Sequence, residues 1–171
     1  MKRIWIAAAV ILALAACHRA KVPRESFLLR IDASWATPAS MKGQKIRSAP
    51  ATIVYFRSDK EYFELHFTCI DSNDTLYISE HLPRASAVGK WEQNGETITV
   101  TRQKVSRADV TRFLCPPLTF HISGLSVVGN AGGRGEGMYA PVTRLVAPDF
   151  QTYLKEARES TIYCPGYKPE T

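Results

Sequence analysis

Four histidines are spread along the chain, His18, His66, His81 and His121, and imidazole serves both as a metal ligand and as a general base. Their spacing fits no metal pattern. There is no H-x-H, no H-E-x-x-H and no paired-cysteine set, so they read as surface histidines and no metal is expected. Nucleophilic catalysis needs a serine or cysteine beside a base. Gly124-Leu125-Ser126-Val127-Val128 puts valine where the G-x-S-x-G elbow needs its second glycine. Glu61, Glu64, Asp71 and Asp74 are carboxylates that a hydrolase could pair, but at hairpin ends and on strand exteriors they read as solvating groups. The run from Gly129 to Gly137 holds five of the ten glycines, and glycines let backbone N–H groups approach a phosphate. It lacks both the G-x-G-x-x-G helix entry and the G-K-[ST] ending, so it reads as a flexible hairpin loop whose Arg134 and Glu136 could touch a partner. No catalytic residue and no cofactor is assigned.

The clearest chemical signal is at the start of the chain. Lys2 and Arg3 precede an uncharged apolar run from Ile4 to Ala16, followed by Cys17 and the basic residues Arg19 and Lys21. A bilayer-spanning helix needs about 20 apolar residues, and this run is shorter; it has the layout of a secretory signal peptide. It ends in Leu14-Ala15-Ala16-Cys17, which resembles the lipobox of bacterial lipoproteins. Small side chains at Ala15 and Ala16 let the backbone enter a peptidase cleft, and Cys17 offers a thiol for a thioether to diacylglycerol. The resemblance implies that residues 1–16 are removed and that Cys17 becomes an acylated N-terminus. Several acyl chains, at about 0.8 kcal/mol per buried CH₂, suffice for stable anchoring. His18, where such proteins carry aspartate for inner-membrane retention, implies outer-membrane attachment facing the periplasm.

Removal of residues 1–16 from the 171-residue chain leaves 155, enough for one domain with a sizeable core. Without Lys2 and Arg3, 20 basic side chains face 16 acidic ones. The excess is scattered and not gathered into a stripe, so no nucleic-acid partner is expected. With Cys17 acylated, Cys69, Cys115 and Cys164 allow three choices of single disulfide. Cys115 and Cys164 each precede proline, where chain elements end, whereas Cys69 lies in a strand beside core residues. A Cys115–Cys164 bridge is therefore favoured in the oxidising periplasm, with Cys69 a buried thiol.

The rest of the chain supplies mostly strands. Residues 17–26 read as the acylated cysteine and a polar tether, and a single β-rich domain spans 27–171. Phe27, Leu29 and Ile31 alternate with polar neighbours, and 36–50, with three turn-forming serines or glycines and two prolines, reads as a long loop. Thr52 to Arg57, a turn at Ser58-Asp59-Lys60, and Glu61 to Ile70 form a hairpin. In it Phe63, Leu65, Phe67 and Cys69 are predicted to face the core, while Tyr62, Glu64, His66 and Thr68 face outward, with Tyr62 and His66 as partner-binding candidates. Asn94-Gly95 marks another hairpin bend. Short helices are expected after a Ser106 cap and over 149–159, and strands at 118–122, 125–128, 138–146 (broken at Pro141) and 161–163.

The whole predicts a mainly β fold, an antiparallel barrel or sandwich of about eight strands with one or two short helices. Gly89-Lys90-Trp91, the Asn94-Gly95 bend and Ile98-Thr99-Val100 resemble strand pairs of lipocalin-like envelope lipoproteins. The expected function is a non-enzymatic envelope module, membrane-held by lipid, that recognises a protein or a small ligand in the periplasm. One alternative is a small hydrolase or carrier acting on an envelope lipid or glycan, which predicts a concave site with convergent polar groups. Another is an inhibitor or immunity protein against a lytic enzyme.

Overall fold

The computed structural model describes residues 21–32, 46–72, 75–78, 83–131, 135–142, 145–146, 150–159 and 162–168. The expected signal peptide, Cys17, His18, residues 36–45 of the expected loop, Asp74, His81 and Arg134 lie outside the described residues. Eleven strands and two short helices follow in order: β1 Phe27–Ile31, β2 Ile46–Phe56, β3 Glu61–Ser72, β4 Thr75–Ile78, β5 Ala85–Asn94, β6 Thr97–Val105, α1 Thr111–Leu114, β7 Leu118–Ser123, β8 Ser126–Gly129, β9 Gly137–Pro141, β10 Leu145–Val146, α2 Phe150–Arg158 and β11 Ile162–Tyr163. Eight of them close an antiparallel barrel in the order β1-β2-β3-β5-β6-β7-β8-β9, with β1 pairing β9 to complete the circle. The expected mainly β architecture is therefore a barrel.

Local chemistry explains the joints. Asn94-Gly95 turns β5 into β6, and Gly95 has the positive φ of 61° that such a bend requires. At the bulge between Val88 and Gly89 the neighbouring strand comes so close that a Cβ on Gly89 would sit 2.2 Å from the Thr101 carbonyl oxygen; only glycine fits. β2 starts ten residues nearer the N-terminus than Phe56, so Ile46–Pro50, expected in a loop, is strand. The long partner β3 accounts for this, since its residues up to Ser72 pair with Ile46 onward. Pro50 donates no hydrogen bond, but its carbonyl accepts one from Asp32 N at 2.8 Å. Ser106 caps no helix: its hydroxyl accepts from Ser86 N, and a 3₁₀ turn at Ala108–Val110 leads into α1 from Arg107 instead.

Two apolar layers flank β2 and β3. Inside the barrel, Leu28, Val54, Phe56, Trp91, Ile98 and Phe120 pack with Tyr62 and Tyr139. Phe56 meets Trp91 and Phe120 edge-on, at 5.9 and 5.5 Å between ring centres. Outside, Ile53, Tyr55, Phe63, Leu65 and Phe67 are covered by α2 through Tyr153, Leu154 and Ala157. That helix buries its apolar stripe as its spacing predicts. Burial of Leu154 alone contributes on the order of 2 kcal/mol. The Cys115–Cys164 disulfide forms as expected, joining the end of α1 to the segment after β11, and Cys69 is a buried thiol outside that bridge.

Candidate functional site

One end of the barrel interior is filled with aromatic rings, and the other holds charge. Inward-facing positions of β1, β2, β3 and β6 contribute Arg30, Thr52, Glu64, His66 and Arg102, joined by Asp32 just beyond β1. Register brings them together: Thr52 is directly opposite Arg30 on one side and His66 on the other. Glu64 and Arg102 lie on strands separated by β5. That strand places Ala87 opposite Glu64 and Gly89 opposite Arg102, and these small residues leave room for the two long side chains to meet.

Glu64 is fully buried, and both its oxygens are engaged. Oε2 accepts from Arg102 Nη2 at 2.7 Å, Arg102 Nε at 3.0 Å and the Tyr62 hydroxyl at 2.9 Å. Oε1 is 2.9 Å from His66 Nε2. Burial by itself pushes the Glu64 carboxyl up, but the Arg102 guanidinium and the His66 contact outweigh it and hold the group down at about 2. Burial, and then the Glu64 charge, push the Tyr62 hydroxyl well above its ordinary value, so it stays a donor. Arg102 also donates to the Pro116 carbonyl at 3.1 Å, tying the turn after α1 to the barrel wall.

From Glu64 the hydrogen bonds continue outward. His66 Nδ1 is 3.0 Å from Thr52 Oγ1, and Thr52 Oγ1 donates to Asp32 Oδ2 at 2.6 Å. The chain Asp32–Thr52–His66–Glu64 thus has three links between two terminal carboxylates. The residue types Thr52, His66 and Glu64 also match a nucleophile, base and acid. Thr52, however, is fully buried and its hydroxyl proton is directed at Asp32, so no substrate reaches it.

The charged end opens into a cleft of about 420 Å³. Asp32 and His66 form its polar wall, Phe113 and Leu114 from α1 an apolar one, and Arg84 and Arg107 bring positive charge. The backbone N–H of Arg84 donates to the His66 carbonyl at 2.8 Å, which fixes it beside the polar wall. The His66 side chain is 19% exposed, whereas that of Asp32 is 2% exposed. Asp32 Oδ1 is buried and accepts no hydrogen bond, although Arg30 Nε is 3.4 Å away as an ion-pair neighbour. On the other side of the turn that carries α1, a second cleft of about 380 Å³ is lined by Arg102, Arg112, Thr119, Asn130 and Glu136 among others.

The structure corrects the facing of β3. Tyr62, Glu64 and His66, expected outward, point into the barrel, because β3 is covered on both faces and its polar side chains find partners inside. Tyr62 is wholly buried and cannot meet a protein partner; His66 reaches the cleft. His121 is exposed on β7, opposite Thr97 and Val128, and takes no part in the chain. Exposed Glu136 borders the second cleft. Of the other acids, Glu61 pairs with Arg57 and Arg158, and Asp71 with Arg47. Among the described residues no group of three or more His, Cys, Asp or Glu is placed to hold a metal ion. Sequence reading missed Asp32, Thr52 and Arg102. The available signal was that Arg30 and Thr52 sit in strands whose alternate residues are also apolar, with Asp32 directly after the first of them, a pattern that fits strands buried on both faces.

Comparison with protein-family models, with curated proteins and with solved structures finds no match for this chain.

Proposed function

We propose that the chain is a lipid-anchored module of the bacterial envelope that binds a small ligand in the cleft at the charged end of its barrel. The observation that carries this reading is the convergence of Asp32, His66 and two arginines on one concave, partly apolar site at one end of a barrel packed elsewhere with aromatic rings. Such a site, apolar with a few placed polar groups, is what small-molecule recognition uses. Trp91, Tyr62, Phe56 and Phe120 occupy the interior, which leaves no room there for a long acyl chain and argues against carriage of a whole lipid inside the barrel. Stability alone is a poor reason for the charges, since a buried ion pair is often no better than a well-packed apolar one. The signal peptide and Cys17 lipobox supply the membrane address, and His18 favours the outer membrane.

The test is native mass spectrometry of the full chain, extracted from envelopes in mild detergent. A stoichiometric adduct of a few hundred daltons, lost when Phe113→Asp fills the cleft with charge, supports the reading. A stoichiometric protein partner with no small molecule bound overturns it.

A further inference from the structure

The first described residues close one mouth of the barrel. Val22 is buried at 4% exposure and belongs to the interior cluster with Leu28, Phe56, Trp91 and Ile122. Its backbone N–H donates to Gln93 Oε1 at 3.4 Å, just before the Asn94-Gly95 bend. Glu25 fastens the same segment to the turn between β2 and β3. Its N–H donates to the Phe56 carbonyl at 3.0 Å, and its carboxylate accepts from the Tyr55 hydroxyl and from Ser58 N. From Val22 onward the expected tether is therefore fixed to the barrel.

The turn between β7 and β8 belongs to this end too. Ile122 N donates to the Glu96 carbonyl at 2.8 Å, which sets Ser123–Ser126 beside the Asn94-Gly95 bend. Gly124, at φ 61°, makes the turn and leaves Leu125 at its tip. At 75%, Leu125 is the most exposed of the large apolar side chains among the described residues. A single exposed leucine is ordinary on a protein surface; its place on the end that receives the tether is what gives it meaning. Both clefts are at the other end. β3 runs from Glu61, near the tether, to His66 in the first cleft, and β8 runs from Ser126 to Gly129, next to Asn130 in the second.

From Cys17 to Val22 is five residue steps, a reach of about 18 Å at full extension. From Glu61 to His66 alone, β3 advances about 17 Å. A link that short, starting at the closed mouth, has no length left to fold back and bring the cleft end to the bilayer. Resting on the lipid-anchor reading above, we propose that the closed end of the barrel sits on the lipid surface, with Leu125 inserted at the boundary of headgroups and acyl chains and both clefts directed away from it. Exposed Lys21, Arg24 and Lys60 at this end are offset by exposed Glu25, Asp59 and Glu96. The contact therefore depends on the apolar tip and not on anionic headgroups, and the clefts take their ligand from the aqueous phase.

Depth-dependent fluorescence quenching tests this on the full acylated chain in phosphatidylcholine vesicles, with flotation and the mass of the N-terminal peptide as checks on the anchor. Leu125→Cys, Glu96→Cys and Glu136→Cys each receive a small fluorophore, with wild type, whose Cys69 is buried, as the labelling blank. Lipid carrying a doxyl group is the quencher. Labels at positions 125 and 96 are expected to lose emission, and the label at position 136, beside the second cleft, to keep it. Adding Leu125→Asp to Glu96→Cys is expected to lessen the quenching there, whereas added phosphatidylglycerol leaves it unchanged. Equal quenching at 136 and 125, no quenching at 125 and 96 on vesicle-bound chain, indifference to Leu125→Asp, or a requirement for phosphatidylglycerol each overturns the proposal and leaves the anchor intact. A chain that neither floats with the vesicles nor carries acyl groups overturns both.

Discussion

Replacing Glu64 with glutamine is the most direct challenge to the buried charge network. The substitution keeps the side-chain shape and removes the charge, leaving the Arg102 guanidinium, whose side chain is 3% exposed, without its counter-ion. Removal of one partner from a buried pair costs about 3–5 kcal/mol. A second route gives a similar size. Glu64 is held from an ordinary 4.5 down to about 2, which corresponds to on the order of 3 kcal/mol of folding stability. Because the folded-state value is depressed, that contribution is complete above about 4.5 and disappears as pH falls toward about 2. The assay is urea unfolding followed by fluorescence of buried Trp91, at neutral pH and down a pH series, for wild type, Glu64→Gln, Arg102→Met and the double variant. The single variants are expected to lose several kcal/mol each, and the double variant much less than their sum. Full recovery is not expected, since the Tyr62 hydroxyl and His66 Nε2 contact different oxygens of Glu64 and glutamine keeps only one oxygen acceptor. In Glu64→Gln the acid limb of the pH profile should flatten. A loss under about 1 kcal/mol, or strict additivity of the two single changes, would refute the account of this pair as the interior's electrostatic anchor.

Three other outcomes are expected. Cys115→Ala with Cys164→Ala opens a loop of 49 residues and should cost up to about 4 kcal/mol by chain entropy, read as a fall in the urea midpoint that matches reduction of the wild type. Leu154→Ala empties a wholly apolar contact between α2 and the barrel and should destabilise by about 2–5 kcal/mol without altering small-ligand binding in the cleft. Cys17→Ser should abolish incorporation of labelled fatty acid; persistence of label would remove the lipid-anchor proposal.

Periodicity and turn chemistry made the strands legible. Asn94-Gly95 and the alternation of Glu61 to Ile70 both lead to elements that the structure contains, and the helical face of Tyr153, Leu154 and Ala157 is buried as its spacing requires. The bridge between Cys115 and Cys164 followed from where the two prolines end chain elements. What periodicity could not supply is which face of a strand is inside when both are covered. Tyr62, Glu64 and His66 are polar and alternate with Phe63, Leu65 and Phe67, so the pattern pointed outward. The small residues Ala87 and Gly89 acquire their meaning only once β5 is known to lie between Glu64 and Arg102. The cleft is harder still, because Asp32, His66, Arg84 and Phe113 come from separate parts of the chain and converge through register and closure.

Closure also dictates an order of events during folding. β1 is the first strand to emerge, yet one of its two neighbours, β9, is among the last: Leu28 pairs with Pro141 and Leu29 with Ala140. More than a hundred residues of chain separate β1 from β9, and all of them must be made before the circle can be completed. Until then both β1 and β8 carry an unsatisfied edge, open to strand addition by a neighbouring chain. Contacts of such long sequence separation form slowly and leave intermediates prone to aggregation. A chain interrupted shortly before Gly137 would therefore not be a slightly shorter barrel but an open, adhesive sheet.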